Sequence, residues 1–170
     1  PTIQLTAPYP DSPVQDVRQR LGLDEALAFT VSQHACASGL LALDVCGHLL
    51  AGDGPDALAL VLTGEKTFTR VAQVIPNSAV MGEATAAILV RAGGDHDRLL
   101  AYTVKTLGEY HQGPHLPPEL EEKFQGVYTS TLADAIADAV ARAGLSIGDV
   151  TAVLPHNVNR MSWLRVLRRL

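Results

Sequence analysis

One segment, residues 32–51, constrains the fold of this chain more than any other: a turn of small residues followed by a long apolar run. Residues 35–51 carry apolar or small side chains on nearly every helical face, and the run ends at a Gly-Asp-Gly-Pro sequence, residues 52–55. A helix without a polar face needs cover, so we expect this helix in the interior. Because helices of ordinary doubly wound folds are amphipathic, this one predicts a middle layer of helices between two sheets.

Cys36 lies in the turn that starts this helix. Unpaired backbone N–H groups and the positive end of the helix dipole favour the thiolate over the thiol at such a position. Ala35, Ala37 and Gly39 add no bulk, so an acyl carbonyl can approach the sulfur and its oxyanion can meet the Cys36 backbone N–H. The pattern favours a nucleophile, and a buried structural cysteine is the alternative.

Composition and charge exclude several classes of protein. With 170 residues, of which 47% are hydrophobic and 18% charged, the chain can bury a core and is expected to form one globular domain. A net charge of -5 argues against a nucleic-acid-binding surface. Neither a leader peptide nor a membrane span is predicted. Cys36 and Cys46 would lie about 15 Å apart on one helix, too far for a disulfide, which fits a reducing cytoplasm.

The hydrophobic pattern alternates strands with helices. Helices are predicted at residues 12–21, 35–51, 120–143 and 159–169, and strands at residues 26–31, 57–63, 84–90, 99–104 and 151–154. The third and fourth strands are expected to pair across a Gly-Gly-Asp turn, and the continuous apolar run 57–63 predicts a strand covered on both sides. The pattern indicates an α/β architecture with a mixed sheet and helices on both faces, broken at a candidate hinge, residues 113–118.

A second chemical signal, Pro-His-Asn-Val-Asn-Arg at residues 155–160, follows the last predicted strand. There His156 can donate a hydrogen bond or act as a general base, and Asn159 can orient it or donate to a carbonyl. The alternative is a helix cap formed by Asn157 or Asn159, with His156 only filling the turn. His34, two residues before Cys36, is a candidate for the pocket mouth. The remaining histidines lack metal-ligand spacing, so no metal site is predicted.

Four segments occur in an order that is typical of one enzyme family. They read Ala-Cys-Ala-Ser-Gly (35–39), Thr-Gly-Glu (63–65), Met-Gly-Glu-Ala-Thr-Ala-Ala (81–87) and Pro-His-Asn-Val-Asn-Arg (155–160). The first resembles the Ala-Cys-Ser-Gly-Phe nucleophile motif of the 3-oxoacyl-[acyl-carrier-protein] synthase III group in the thiolase-like superfamily. The third and fourth resemble that group's Phe-Gly-Asp-Gly-Ala-Ala-Ala and Pro-His-Gln-Ala-Asn segments, and the second has the family's position after the strand that follows the nucleophile helix.

This resemblance implies a thiolase-like α-β-α-β-α layered fold, of which the chain covers the middle. Residues 1–112 would form the nucleophile half, and residues 113–170 would begin the histidine-bearing half. Cys36 would take an acyl group from acyl-CoA or an acyl carrier protein, with no further cofactor, and condense it with a malonyl thioester. His156 and an asparagine from a later segment, which this sequence lacks, would stabilise the enolate. Asn159 is not that asparagine, and it is expected to bind substrate, as is His34.

The family also implies a cytoplasmic homodimer, formed by extending one sheet across a two-fold axis. Several positions depart from its pattern, and these departures indicate a divergent relative. Leu40 replaces the usual Phe, Glu83 and Ala84 replace Asp-Gly, and Asn-Val replaces Gln-Ala in the Pro-His turn. Two alternatives to condensation therefore remain: an acyltransferase to an alcohol or amine in a natural-product pathway, and a non-catalytic thiolase-like partner subunit. Retention of both Cys36 and His156 favours activity.

Overall fold

The structure, a computed structural model, describes residues 13–32, 34–65, 73–75, 79–156 and 160–170. The chain divides into two compact units, the first comprising Pro1–Val74 with Met81–Gly93 and the second comprising Ile75–Val80 with Gly94–Leu170. Both helices and strands are present, in agreement with the predicted α/β class. The thiolase-like layering and the division after residue 112 stay predictions.

The secondary structure follows the predicted order of helices more closely than that of strands. The helices are α1 (Pro13–Arg20), α2 (Ser38–Asp53), α3 (Pro118–Arg142) and α4 (Arg160–Leu167), and the strands are β1 (Leu58–Glu65), β2 (Val74–Ile75), β3 (Ala79–Val80) and β4 (Ala84–Arg91). All four predicted helices are confirmed to within a few residues. Gly22 and Gly144, which follow α1 and α3, have φ angles of +66° and +72°, the left-handed conformation that ends helices.

Strand β1 pairs with β4 along the full length of both. The two strands are antiparallel, with a register that runs from Leu58 opposite Arg91 to Glu65 opposite Ala84. The predicted strands 57–63 and 84–90 are thereby confirmed, but the predicted pairing of 84–90 with 99–104 is wrong. An eight-residue strand forms more backbone hydrogen bonds with an equally long partner than with the six-residue segment 99–104.

The residues that the structure describes cover one face of the β1–β4 sheet and leave the other open. Helix α2 packs on this sheet, and Val61 is 6% exposed. The side chains of Leu58, Leu60 and Leu62 alternate to the opposite face together with Leu89, which is paired with Leu60, and these four are 41–67% exposed. We call this set of four the leucine face. The prediction that strand 57–63 is covered on both sides is therefore wrong for the described residues.

Helix α2 is also less buried than its composition predicts. Among its residues only Leu50 is buried, whereas Leu40 and Leu49 are 62% and 42% exposed. The prediction of a fully interior helix is wrong within the described residues, because the chain places cover on one side of this helix only. The helical stretch Ala35–Asp53 has a mean hydropathy of 1.5 and is long and apolar enough to cross a membrane by length and composition. Core helices of soluble proteins meet the same two criteria.

The second unit is organised around the 25-residue helix α3. Helix α4 packs against it, and Val166 on α4 has no exposed surface at all. On α3 itself, Ala133 is buried, with 5% of its surface exposed. The closing helix predicted at residues 159–169 thus forms a docked element of this unit.

Three predicted strands, residues 26–31, 99–104 and 151–154, are not strands in the structure. Within the first, Leu27 and Phe29 are 78% and 49% exposed. Segment 99–104 instead lies against α3, where the Thr103 hydroxyl donates to the Ala135 carbonyl at 2.8 Å. Apolar runs of this length form strands only when a neighbouring strand accepts their backbone hydrogen bonds, and the described residues supply none here.

Candidate functional site

Cys36 lies in a tight turn that leads directly into α2. The turn is a 3-10 helix, Ala35–Ala37, in which the Ala37 N–H donates to the His34 carbonyl at 3.0 Å and the Ser38 N–H donates to the Ala35 carbonyl. Cys36 is exposed, as the prediction of a nucleophile requires, and it is not the buried structural cysteine of the alternative interpretation. The residues on either side of Cys36 along the chain are both alanines and add little bulk beside the sulfur.

The backbone of this turn is strained. Ala35 has a φ angle of +46°, in the left-handed region that non-glycine residues adopt at a cost of about 1–2 kcal/mol. Strain of this kind persists only where surrounding structure holds it, and it is concentrated at functional sites. Ala35 directly precedes Cys36, so the strained residue lies next to the one that carries the sulfur.

Cys46 gives an internal contrast to Cys36. It lies ten residues further along α2 and is half-buried, and its burial raises the pKa of the Cys46 thiol above the ordinary value of 9.0. A raised pKa keeps a thiol protonated near neutral pH and lowers its nucleophilicity. Of the two cysteines, Cys36 is therefore the better candidate for a nucleophile. Both are free thiols in the structure.

The first turn of α2 lies very close to strand β1. A methyl group placed on Gly39 would lie 3.3 Å from Cγ2 of Thr63, a tighter contact than side chains normally make. Glycine at this position therefore permits a close approach of helix and strand. The hydroxyl of neighbouring Ser38 is shielded from solvent and has no hydrogen-bond partner among the described residues. These contacts place the Cys36 turn at one end of the β1–β4 sheet.

The other predicted site residues are distributed unevenly. His34 is exposed and belongs to the Cys36 turn, to which it contributes its carbonyl oxygen. His156 is exposed and lies in the second unit, whereas Cys36 lies in the first. Asn159 lies outside the described residues, as do Asn157 and Val158, so its predicted role stays a prediction. Within the described ranges, no group of three or more His, Cys, Asp or Glu side chains could hold a metal ion.

A side chain of helix α4 binds the backbone of His156. The indole Nε1 of Trp163 donates a hydrogen bond to the backbone carbonyl of His156 at 2.9 Å. Because α4 is itself docked through fully buried Val166, this bond joins the His156 carbonyl to a packed element of the second unit. Trp163 is not part of the Pro-His segment that predicted the site, although its position seven residues after His156, on the predicted closing helix, is a signal that could have suggested it.

An apolar cleft of about 170 Å³ lies in the second unit, next to the segment that leads to His156. Its wall is made by six aliphatic side chains: Ile136, Ile147, Val150, Val153, Leu167 and Leu170. Val153, three residues before His156, contributes to this wall, while Leu154 is 94% exposed. The predicted strand 151–154 is thus replaced by an irregular segment, of which Val153 lines the cleft.

Comparison with known proteins identifies one kind of relative. The chain is 30% identical over 160 residues to a beta-ketoacyl-[acyl-carrier-protein] synthase III of Rhizorhabdus wittichii, an alignment that covers 85% of the chain and 49% of that protein. The chain therefore spans about half the length of the curated relative it matches. No family model and no solved structure matches it. The similarity confirms the resemblance to synthase III that the four segments predict.

Proposed function

We propose that this chain, a synthase III-like polypeptide, carries the nucleophile of a condensing enzyme that uses acyl thioesters. The observation that carries the proposal is the exposed Cys36 in a strained turn at the start of a helix. The similarity to a beta-ketoacyl synthase III supports a transferase of the fatty-acid type. We propose acyl-CoA or an acyl carrier protein as the donor, and no cofactor beyond these thioesters.

In the first half-reaction, the Cys36 thiolate attacks the carbonyl carbon of the acyl thioester. A new C–S bond forms, and the charge that develops on the carbonyl oxygen is expected to be stabilised by the Cys36 backbone N–H. The bond to the sulfur of coenzyme A or the carrier protein then breaks. That thiolate leaves and takes up the proton that Cys36 lost, so the step exchanges one thioester for another.

In the second half-reaction, a malonyl thioester loses carbon dioxide, and the resulting enolate attacks the acyl carbonyl. Cys36 leaves as a thiolate, and the product is a 3-oxoacyl thioester. We propose that a neutral His156 donates a hydrogen bond to the thioester oxygen of the enolate. Asn159 and His34 are proposed to bind the substrate, Asn159 by donating to a carbonyl and His34 at the mouth of the pocket.

The proposed assembly is a cytoplasmic homodimer that does not bind nucleic acid or membranes. The β1–β4 sheet, which the first unit contains, is the proposed element to extend across the two-fold axis. Sedimentation at micromolar concentration tests this directly, since a folded and soluble monomer would contradict it.

Intact mass spectrometry tests the nucleophile. Incubation with acetyl-CoA should add one acetyl group to the protein, and peptide mapping should place it on Cys36. Cys36→Ala should abolish the adduct, whereas the matched variant Cys46→Ala, on the same helix, should retain it. Equal labelling of Cys36→Ala and wild type would refute the assignment.

Release of carbon dioxide from a malonyl thioester separates condensation from simple acyl transfer. His156→Ala should leave acylation of Cys36 intact and abolish this release, and His96→Ala, an exposed histidine of the same unit, should affect neither. If the wild-type enzyme releases no carbon dioxide but transfers the acyl group to an alcohol or amine, the acyltransferase alternative replaces the condensing one.

A further inference from the structure

The first turn of α2 packs unusually closely against strand β1. Gly39 faces Thr63, and the space between them cannot hold an additional methyl group without a shift of a few tenths of an ångström. Elsewhere on the same helix this restriction is absent, since a methyl group added at Gly47 or Gly52 would meet nothing within 4 Å. Among the three glycines of α2, the tight contact is therefore confined to the one nearest Cys36.

The turn that holds Cys36 moves with this end of the helix. Two successive hydrogen bonds, from the Ala37 N–H to the His34 carbonyl and from the Ser38 N–H to the Ala35 carbonyl, join the turn to the first residue of α2. Cys36 is only three residues from Gly39. A displacement of Gly39 away from β1 is thus transmitted to the sulfur and to the backbone N–H groups around it.

We propose that Gly39 and Thr63 are positioning residues for Cys36, with the Thr63 Cγ2 methyl setting the distance between the nucleophile turn and strand β1. Neither residue is assigned contact with the substrate. The inference rests on the proposed function, because it concerns the placement of the proposed nucleophile. It joins two of the sequence motifs through one contact, in which the γ-methyl of Thr63 lies opposite Gly39, a residue without a side chain.

A reciprocal exchange of one methyl group tests this arrangement. Gly39→Ala adds a methyl group where Thr63→Ser removes one, so the double variant restores the total volume at the contact. Each protein is labelled with iodoacetamide. In this reaction the Cys36 sulfur bonds to the carbon of the reagent and displaces iodide, and the thiol proton goes to solvent. Each is also incubated with acetyl-CoA. Peptide masses give the separate rates at Cys36 and Cys46, and thermal unfolding reports the folded state.

We expect Gly39→Ala to lower both rates at Cys36 by about threefold to tenfold, because small displacements of a reacting group are costly. The double variant should return to within about twofold of wild type. The reaction rates at Cys46 should be the same in these variants as in wild type. The rates at Cys36 should also be unchanged in Gly47→Ala, the control on the same helix. Thr63→Val, which retains the Cγ2 methyl, should also behave like wild type.

Wild-type rates at Cys36 in Gly39→Ala, or a double variant as slow as Gly39→Ala alone, would overturn the proposal. If Gly39→Ala unfolds, the double variant must fold and react at near wild-type rate, and its failure to do so overturns the proposal equally. Absence of acetylation in the wild type would count against the proposed function. The iodoacetamide rates would still decide the positioning role.

Discussion

Truncation of Val166 is expected to loosen helix α4 from the second unit. This side chain has no exposed surface, so Val166→Ala removes two fully buried methyl groups. Loss of one such group costs about 0.5–1.5 kcal/mol, and two therefore cost about 2 kcal/mol of the free energy of unfolding. The higher helix propensity of alanine offsets no more than about 0.7 kcal/mol of that loss.

Urea unfolding measures this loss in the free energy of unfolding, and the fluorescence of Trp163 follows the unfolding at helix α4. Trp163 is the one tryptophan of the chain and lies on α4 itself. With a denaturant dependence of about 2 kcal/mol per molar urea, the midpoint should fall by roughly 1 M. Leu154→Ala is the matched control: it removes more carbon atoms, but from a side chain that is 94% exposed. Equal midpoints for the two variants would refute the reasoning.

Three further outcomes are expected. Gly64→Ala should destabilise the β1–β4 sheet by about 1–3 kcal/mol in urea unfolding followed by circular dichroism, because the added methyl would lie 2.8 Å from Cγ2 of Thr85. Hydrogen bonds from the Ser146 side chain and backbone lower the pKa of Asp149 below its unfolded value of 3.8. The stability that these bonds add is therefore present above pH 3.8 and is lost as the pH falls through the lower pKa of the folded state. Thermal melts should show this loss of stability in acid for the wild type and a smaller loss for Ser146→Ala. Alkylation of Cys46 should keep accelerating above pH 9, since burial raises its pKa, and a plateau below pH 8 would contradict that.

Helices were more predictable from this sequence than strands, for a local reason. The ends of α1 and α3 are marked by Gly22 and Gly144, whose left-handed conformations stop a helix whatever surrounds it. A strand needs a partner that its own residues do not specify. Segments 57–63 and 84–90 form strands because they pair with each other, whereas the similarly apolar segments 26–31 and 151–154 have no partner strand among the described residues.

The candidate site shows the same division between local and distant information. Small residues around Cys36 and the helix that follows predicted the exposed turn, because both signals lie within a few positions of the sulfur. The left-handed backbone of Ala35 carried no signal, since alanine seldom adopts it. The contact of Gly39 with Thr63 joins residues 24 positions apart, and only the packing of α2 on β1 reveals it.

The leucine face bears on how this polypeptide behaves at high concentration. Its four side chains form an apolar patch on a two-stranded sheet, and such patches promote association between molecules. Aggregation should therefore begin at this sheet, with turbidity that rises steeply with protein concentration and with added sulfate, which strengthens apolar burial. Leu60→Lys, at the middle one of the three leucines of β1, is the smallest change that should keep concentrated samples clear.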